Sequence, residues 1–194
     1  MVADGGFEGA TPNADWNEAS VAFGTPLCDV PGCGTGTGTG PFAGAWWCWF
    51  GGTAAGDVAS VDQDVTIGTG TAELTFQLEA IICDSPSDFM EVLIDGNQVY
   101  VVDGSSPLCG NLGYTLQTVD VSAFADGGVH NLEFRSETLA INGGGSNFFV
   151  DDIALVVTGA TSNDCNGNGI PDDCDNCADL DGDLDVDSVD YQLF

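Results

Sequence analysis

The sequence predicts an all-β fold: a β-sandwich followed by a short acidic tail built to hold cations. Three observations predict it. Apolar residues recur with period two in short runs separated by turn clusters, the mark of half-buried strands. The 28 glycines, with many Thr, Ser and Asn and no convincing helical period, suit turns and strands. Near residue 160 the composition shifts abruptly to Asp, Asn and Gly. A chain of 194 residues fills one core and carries a small appendage, not two full domains.

The strands follow in order. Val58 to Ile67 mixes β-branched and polar residues. Leu74, Phe76, Leu78 and Ala80 share one face, with Thr75, Gln77 and Glu79 on the other. Phe89 to Ile94, the corner Asp95-Gly96-Asn97, and Gln98 to Val102 predict a hairpin, since such a corner supplies the positive φ that a tight turn needs. After Asp126-Gly127-Gly128, His130, Leu132 and Phe134 alternate with Asn131, Glu133 and Arg135. Phe148 to Val157 is aliphatic enough to be a central last strand. Gly32 to Gly40 reads as a flexible surface loop pinned by a local Cys28–Cys33 bridge. About eight such strands make a sandwich over residues 1–158, then a linker at 159–163 and the tail at 164–194.

Charge excludes several function classes. The 31 Asp and Glu face a single Lys or Arg, Arg135, for a net charge of −30. Phosphate backbones and anionic membranes are recognised by clustered cations, so nucleic acid and membrane surfaces are excluded as partners. No apolar run approaches the roughly 18 residues of a membrane span. Met1 to Asp4 lacks the basic and apolar parts of a signal peptide, yet eight cysteines in turn-rich sequence suit an oxidising compartment. The chain therefore reads as secreted or displayed at a cell surface.

The tail carries calcium-type spacing. A calcium loop offers side-chain oxygens at positions 1, 3, 5, 9 and 12 and a carbonyl at 7. Asp164, Asn166, Asn168, Asp172 and Asp175 fit this pattern, with Gly169 at the tight turn and the carbonyl of Ile170. Asp179, Asp181, Asp183, Asp187 and Asp190 fit it again, with Asp185 at position 7 and Leu184 where glycine is usual. The second loop starts 15 residues after the first, too soon for an intervening helix. Without a cation its aspartates would crowd together, at roughly 1 kcal/mol per like-charge pair 4 Å apart in water. Calcium is the expected cofactor.

The tail resembles thrombospondin type 3 repeats, whose loops end as Asp175-Asn176-Cys177 does. Its second loop, running into Tyr191-Gln192-Leu193-Phe194, is similar to the first half of a dockerin, without that module's second loop and helix. Gly5-Gly6-Phe7-Glu8-Gly9 with Trp16, and Phe149-Val150-Asp151-Asp152-Ile153, resemble the two ends of jelly-roll carbohydrate-binding modules and of the related MAM-like modules. That resemblance implies a jelly-roll sandwich. It also implies that the opening and closing segments share a structural calcium, with Glu8 and Asp152 as ligands and Asp151 beside them. It further implies that exposed aromatics stack on sugar rings. Trp46, Trp47 and Trp49 are the candidates, alternation placing Trp47 and Trp49 on one face and Trp46, Cys48 and Phe50 on the other. At least one of those faces belongs to the core.

Catalysis finds little support. His130, the only histidine, shares its strand face with Leu132 and Phe134 and reads as a half-buried edge residue. There is no Gly-x-Ser-x-Gly elbow, and one histidine makes no His-Glu-x-x-His site. Among the cysteines, Cys83–Cys109 is expected within the sandwich and Cys165–Cys174 across the first calcium loop. Cys48 and Cys177 then pair with each other, or one of them bonds another chain. The sequence as a whole points to a non-catalytic extracellular recognition module whose partner is a glycan or a protein, most plainly carbohydrate. The alternative is a self-assembling structural subunit of a calcium-dependent filament or surface layer.

Overall fold

The computed structural model describes residues 1–139 and 145–159. The strands are β1 (Asn17–Ser20), β2 (Leu27–Asp29), β3 (Trp46–Gly51), β4 (Asp57–Thr66), β5 (Gly70–Ile82), β6 (Phe89–Ile94), β7 (Asn97–Asp103), β8 (Thr115–Asp120), β9 (Val129–Thr138) and β10 (Asn147–Gly159). They form two five-stranded sheets, ordered β1-β4-β9-β6-β7 and β2-β3-β10-β5-β8. Every strand pairing is antiparallel. The β-sandwich expected from the alternation is the fold, with ten described strands rather than about eight, because β1 and β2 are too short to show a period.

The core lies between the sheets and follows the period-two faces. Ala72, Leu74, Phe76, Leu78 and Ala80 of β5 meet His130, Leu132 and Phe134 of β9 across it, all of them buried. Phe76 and Phe134 sit edge to face at 5.1 Å, a geometry that suits the ring quadrupoles. Each fully buried phenylalanine contributes about 1.5–3 kcal/mol by area. β10 is the central strand of its sheet, paired with β5 along most of its length and with β3 from Asn147 to Val150. The β6–β7 hairpin turns on Asp95 (φ 51°) and Gly96 (φ 74°), the pair of positive dihedrals that matches the twist of the flanking strands.

The N-terminal segment closes one end of the sandwich. Phe7 is wholly buried and packs on Trp16 at 5.3 Å, and Trp16 in turn reaches Phe134. Gln63, on the core face of β4, exchanges hydrogen bonds with the N–H and C=O of Ala3. Farther along, the N–H of Ile153 donates to the carbonyl of Gly5 at 2.9 Å. A Cβ on Gly5 would stand 1.9 Å from the Ile153 carbonyl oxygen, so only glycine admits this approach. The register of β10 against β5 slips between Asp151 and Ala154, where Asp152 takes φ 52°. That bulge is where the opening and closing segments meet.

Two disulfides, Cys28–Cys33 and Cys83–Cys109, pair as expected. Cys48 is buried in the core and forms no disulfide among the described residues, and burial pushes its thiol pKa well up. Among the described residues no helix is long and apolar enough to cross a membrane. The tail loops from Asp164 to Asp190, the Cys165–Cys174 bridge and Cys177 lie outside the described residues.

Candidate functional site

The outer face of the β2-β3-β10-β5-β8 sheet carries the site, because its side chains are not solvated as the period-two pattern would have them. Trp47 and Phe149 are wholly buried there and lie outside the main core cluster. Trp47 stacks on Trp49 at 6.3 Å, and Phe149 packs against both, at 5.7 and 5.0 Å. The cover is the glycine-rich loop between Cys33 and Trp46. Instead of standing free in solvent, it lies flat on these rings. A Cβ on Gly38 would be 2.3 Å from Ile81 and 2.4 Å from Phe149, so the missing side chain permits the seating. A Cβ on Gly36 would be 2.9 Å from the Trp49 ring.

Carboxylates hold this loop down by its backbone. Glu79, buried on β5, accepts from the N–H and hydroxyl of Thr39 and from the N–H of Gly113. Asp151, buried on β10, accepts from the N–H groups of Phe42 and Ala43 through Oδ2 and of Asp152 through Oδ1. Glu8 accepts from Ala45 and Trp46 through Oε1. The Tyr114 hydroxyl donates to the carbonyl of Gly40 at 2.7 Å, and its ring meets Phe42 edge on. Burial pushes the Asp151 carboxyl up to about 6, although the Ala43, Asp152 and Phe42 amides pull it down. Burial, followed by the nearby charges of Asp151 and Glu79, also pushes the Tyr114 phenol up.

The jelly-roll resemblance implies that Glu8 and the Asp151–Asp152 pair lie together, and the structure brings Glu8 near Asp151. Both Asp151 and Glu8 lie within 4 Å of the position a Cβ on Gly6 would take. The bulge decides which acid faces inward: Asp151 is buried and Asp152 exposed. Among the described residues no three His, Cys, Asp or Glu side chains converge on one point. The set fits a hard cation in type, being all oxygen, with one buried carboxylate whose charge is costly without compensation. A calcium ion there would draw on Glu8 and the Asp pair and would complete its shell from backbone carbonyls and water.

The three candidate tryptophans have different surroundings. Trp46 is partly buried and packs against the main core, and Trp47 is wholly buried beside Trp49 and Phe149. Trp49 alone of the three lines an open cleft, of about 340 Å³, together with Phe23, Thr25, Gly51, Gly52 and the Cys28–Cys33 bridge. Its indole nitrogen donates to Asn147 at 2.7 Å, which fixes the ring plane. The indole nitrogen of Trp47 is buried and has no hydrogen-bond partner among the described residues. Phe23, 60% exposed at the cleft mouth, was silent in the sequence because a lone Phe in a Gly-Thr turn carries no period. Glu79 was silent too, reading as the solvent face of a strand.

His130 is buried rather than half-buried, and it bridges two turns instead of lying at a sheet edge. Asp95 bonds its Nδ1 at 2.7 Å and Asp126 its Nε2 at 3.0 Å. These two bonds, the Asp95 bond foremost, raise its pKa. With both ring nitrogens committed, it has no lone pair to offer a substrate.

No protein-family model matches the chain, and no curated protein matches it in sequence. Among solved structures it is similar to the carbohydrate-binding module TmCBM61 in complex with β-1,4-galactotriose, at 15% identity over 79% of this chain and 95% of that one, TM-score 0.53. It is also similar to the Stig cyclase Fisc from Fischerella sp. TAU in complex with an indole ligand, at 13% identity over 82% of this chain and 97% of that one, TM-score 0.50. At such identities the likeness establishes the fold, a β-sandwich that serves a binding module in one case and an enzyme in the other.

Proposed function

We propose that the protein is a non-catalytic extracellular module that binds carbohydrate in the Phe23–Trp49 cleft. The observation that carries this reading is the cleft itself: two aromatic side chains, Phe23 and Trp49, line an opening of about 340 Å³, and the Trp49 ring is fixed in plane by Asn147. Sugar rings present an apolar face that stacks on such side chains. The two disulfides support an oxidising, extracellular setting. The bonding of His130 supports a non-catalytic role, and TmCBM61 shows that this fold can present a sugar site. Calcium belongs to the same reading, at the Glu8–Asp151–Asp152 junction and in the tail loops.

The test is affinity electrophoresis and calorimetry on neutral β-linked glycans, starting from β-1,4-galactotriose. Removing one stacking face of about 60 Å² forfeits about 1.5 kcal/mol, or roughly tenfold in affinity. Trp49→Ala and Phe23→Ala are each expected to weaken binding by that factor, while Trp46→Phe leaves it unchanged. Binding that survives both cleft substitutions would end the assignment.

A further inference from the structure

The Phe23–Trp49 cleft does not end at Trp49. The ring continues beneath Gly36 into the buried group formed by Trp47, Phe149, Glu79 and Asp151, which the 34–45 loop covers. We propose that this loop is a lid, and that lifting it extends the cleft into a longer groove for a neutral, hydroxyl-rich oligosaccharide. The proposal rests on the carbohydrate reading above and names what the rest of that site takes.

Three features of the structure point to a removable cover. The loop has five glycines in its 12 residues, four of them at positive φ, and so carries few side chains that could anchor it. Most of its residues are exposed on the outer side, while the rings beneath are buried. Its fastening is mainly hydrogen bonds between loop amides and carboxylates, each of which water or another donor can replace. Packing that is deep and interlocked elsewhere in the sandwich is here one layer thick. Segments with few buried apolar contacts open well below the free energy of global unfolding.

What lies beneath is a binding surface rather than ordinary core. A buried indole N–H with no partner among the described residues, as at Trp47, is a cost that a native core usually avoids. With the lid raised, Trp47 offers that donor and a ring face, and Phe149 a second ring. Glu79 and Asp151 then lose the amides of Thr39, Phe42 and Ala43 and present free acceptors. A sugar supplies the complementary set, apolar ring faces together with hydroxyls that both donate and accept. The buried carboxylates and the net charge of −30 select against uronates, sulfated sugars and other anionic glycans. Each hydroxyl bound would stand where a loop amide stood.

Two measurements on the full chain test this, and the first needs no glycan. Hydrogen exchange should show the Thr39, Phe42 and Ala43 amides exchanging about 100-fold faster than those of β10. Gly38→Leu, which cannot seat on Ile81 and Phe149, should speed them further, and the milder Tyr114→Phe should do so to a smaller extent. In the second, Gly38→Leu should bind β-1,4-galactohexaose about tenfold more tightly than the parent, and adding Trp47→Phe should cancel that gain. Loop amides that exchange only together with β10 would overturn the lid. An open Gly38→Leu variant that gains no affinity for β-1,4-galactohexaose, cellohexaose or mannohexaose would overturn the groove. Loss of triose binding in Trp49→Ala with no gain in Gly38→Leu keeps the cleft and rejects its extension. Triose binding unaffected by Trp49→Ala rejects the cleft, while exchange still decides the lid.

Discussion

Adjacent glycines at the start of the chain should respond to the same substitution with opposite signs. A Cβ on Gly5 would stand 1.9 Å from the Ile153 carbonyl oxygen and 2.9 Å from its carbon, both backbone atoms of a central strand. Neither can yield without moving β10, so the N-terminal segment must lift. Overpacking of this kind costs about 1–3 kcal/mol, and the lost Ile153–Gly5 hydrogen bond adds about 1 kcal/mol. Gly5→Ala should therefore destabilise by about 2–4 kcal/mol, which at this size lowers the melting temperature by roughly 5–14 °C. A Cβ on Gly6 would instead meet Asp151 Oδ1 at 3.8 Å and Glu8 at 3.9 Å, ordinary contact distances. Gly6→Ala should be neutral or stabilise by about 0.4–1 kcal/mol through the unfolded chain. Thermal denaturation followed by near-ultraviolet circular dichroism reads both. If Gly5→Ala melts within 2 °C of the parent, the close approach of the opening segment to the β10 bulge is wrong.

Other consequences concern titration and cations. The folded pKa of His130 is raised above its ordinary 6.5, so its contribution to stability is complete below that pH and fades as pH rises through the folded value. Melting temperature should fall between pH 6 and 9, and His130→Asn should flatten that part of the profile; an unchanged slope would remove the Asp95–His130–Asp126 link. Glu8→Gln keeps a carbonyl oxygen for the Ala45 and Trp46 amides but removes the charge a calcium ion needs. It should therefore lower the melting temperature in millimolar calcium and leave it unchanged in EGTA, and an equal loss in both would reject calcium at that junction. In the tail, Asp179→Ala should remove one calcium from the calorimetric stoichiometry.

Where one sheet face meets core and the other meets water, the alternation in the sequence suffices. β5 up to Leu78 and β9 read directly for that reason, and the β6–β7 hairpin reads from its Asp95-Gly96 corner. The outer face around Trp47 does not follow that rule, since what buries it is a glycine loop, and glycines impose no periodic pattern on the surface they cover. Trp46 to Phe50 accordingly shows aromatics on both faces, and the sequence could say only that one face is core. Glu79 follows Gln77 on what looks like a solvated face, yet it is buried by the same loop. The bulge in β10 defeats the alternation a second time. It inserts a residue at positive φ, so Asp151 turns inward and its neighbour Asp152 stays exposed, which no alternation would show. Local patterns carry strands; they do not carry the loop that lies across them.

A chain with one arginine and one histidine has few side-chain cations for its buried acids, and among the described residues four of the five buried acids do without one. Asp57, Glu79, Asp88 and Asp151 are all buried, and all rest on backbone amides and hydroxyls. Those bonds are short-ranged and largely indifferent to salt. Among the described residues Arg135 reaches Glu91, the fifth buried acid, at 3.4 Å and Glu137 at 3.7 Å, and with the guanidinium partly solvated such contacts are worth about 0–1 kcal/mol. The remaining acids repel one another. Partial burial raises the Glu133 carboxyl, and Asp62 and Glu91 push it further against the pull of Arg135. Repulsion in the compact state therefore outweighs attraction, and screening should help. Between 10 mM and 500 mM NaCl the Debye length falls from about 30 Å to a few ångströms, which silences the repulsion but leaves the amide–carboxylate bonds intact. The melting temperature in EGTA should rise over that range. A protein held by its ion pairs would show the reverse, and a falling temperature here would mean that cations, not amides, hold the acids.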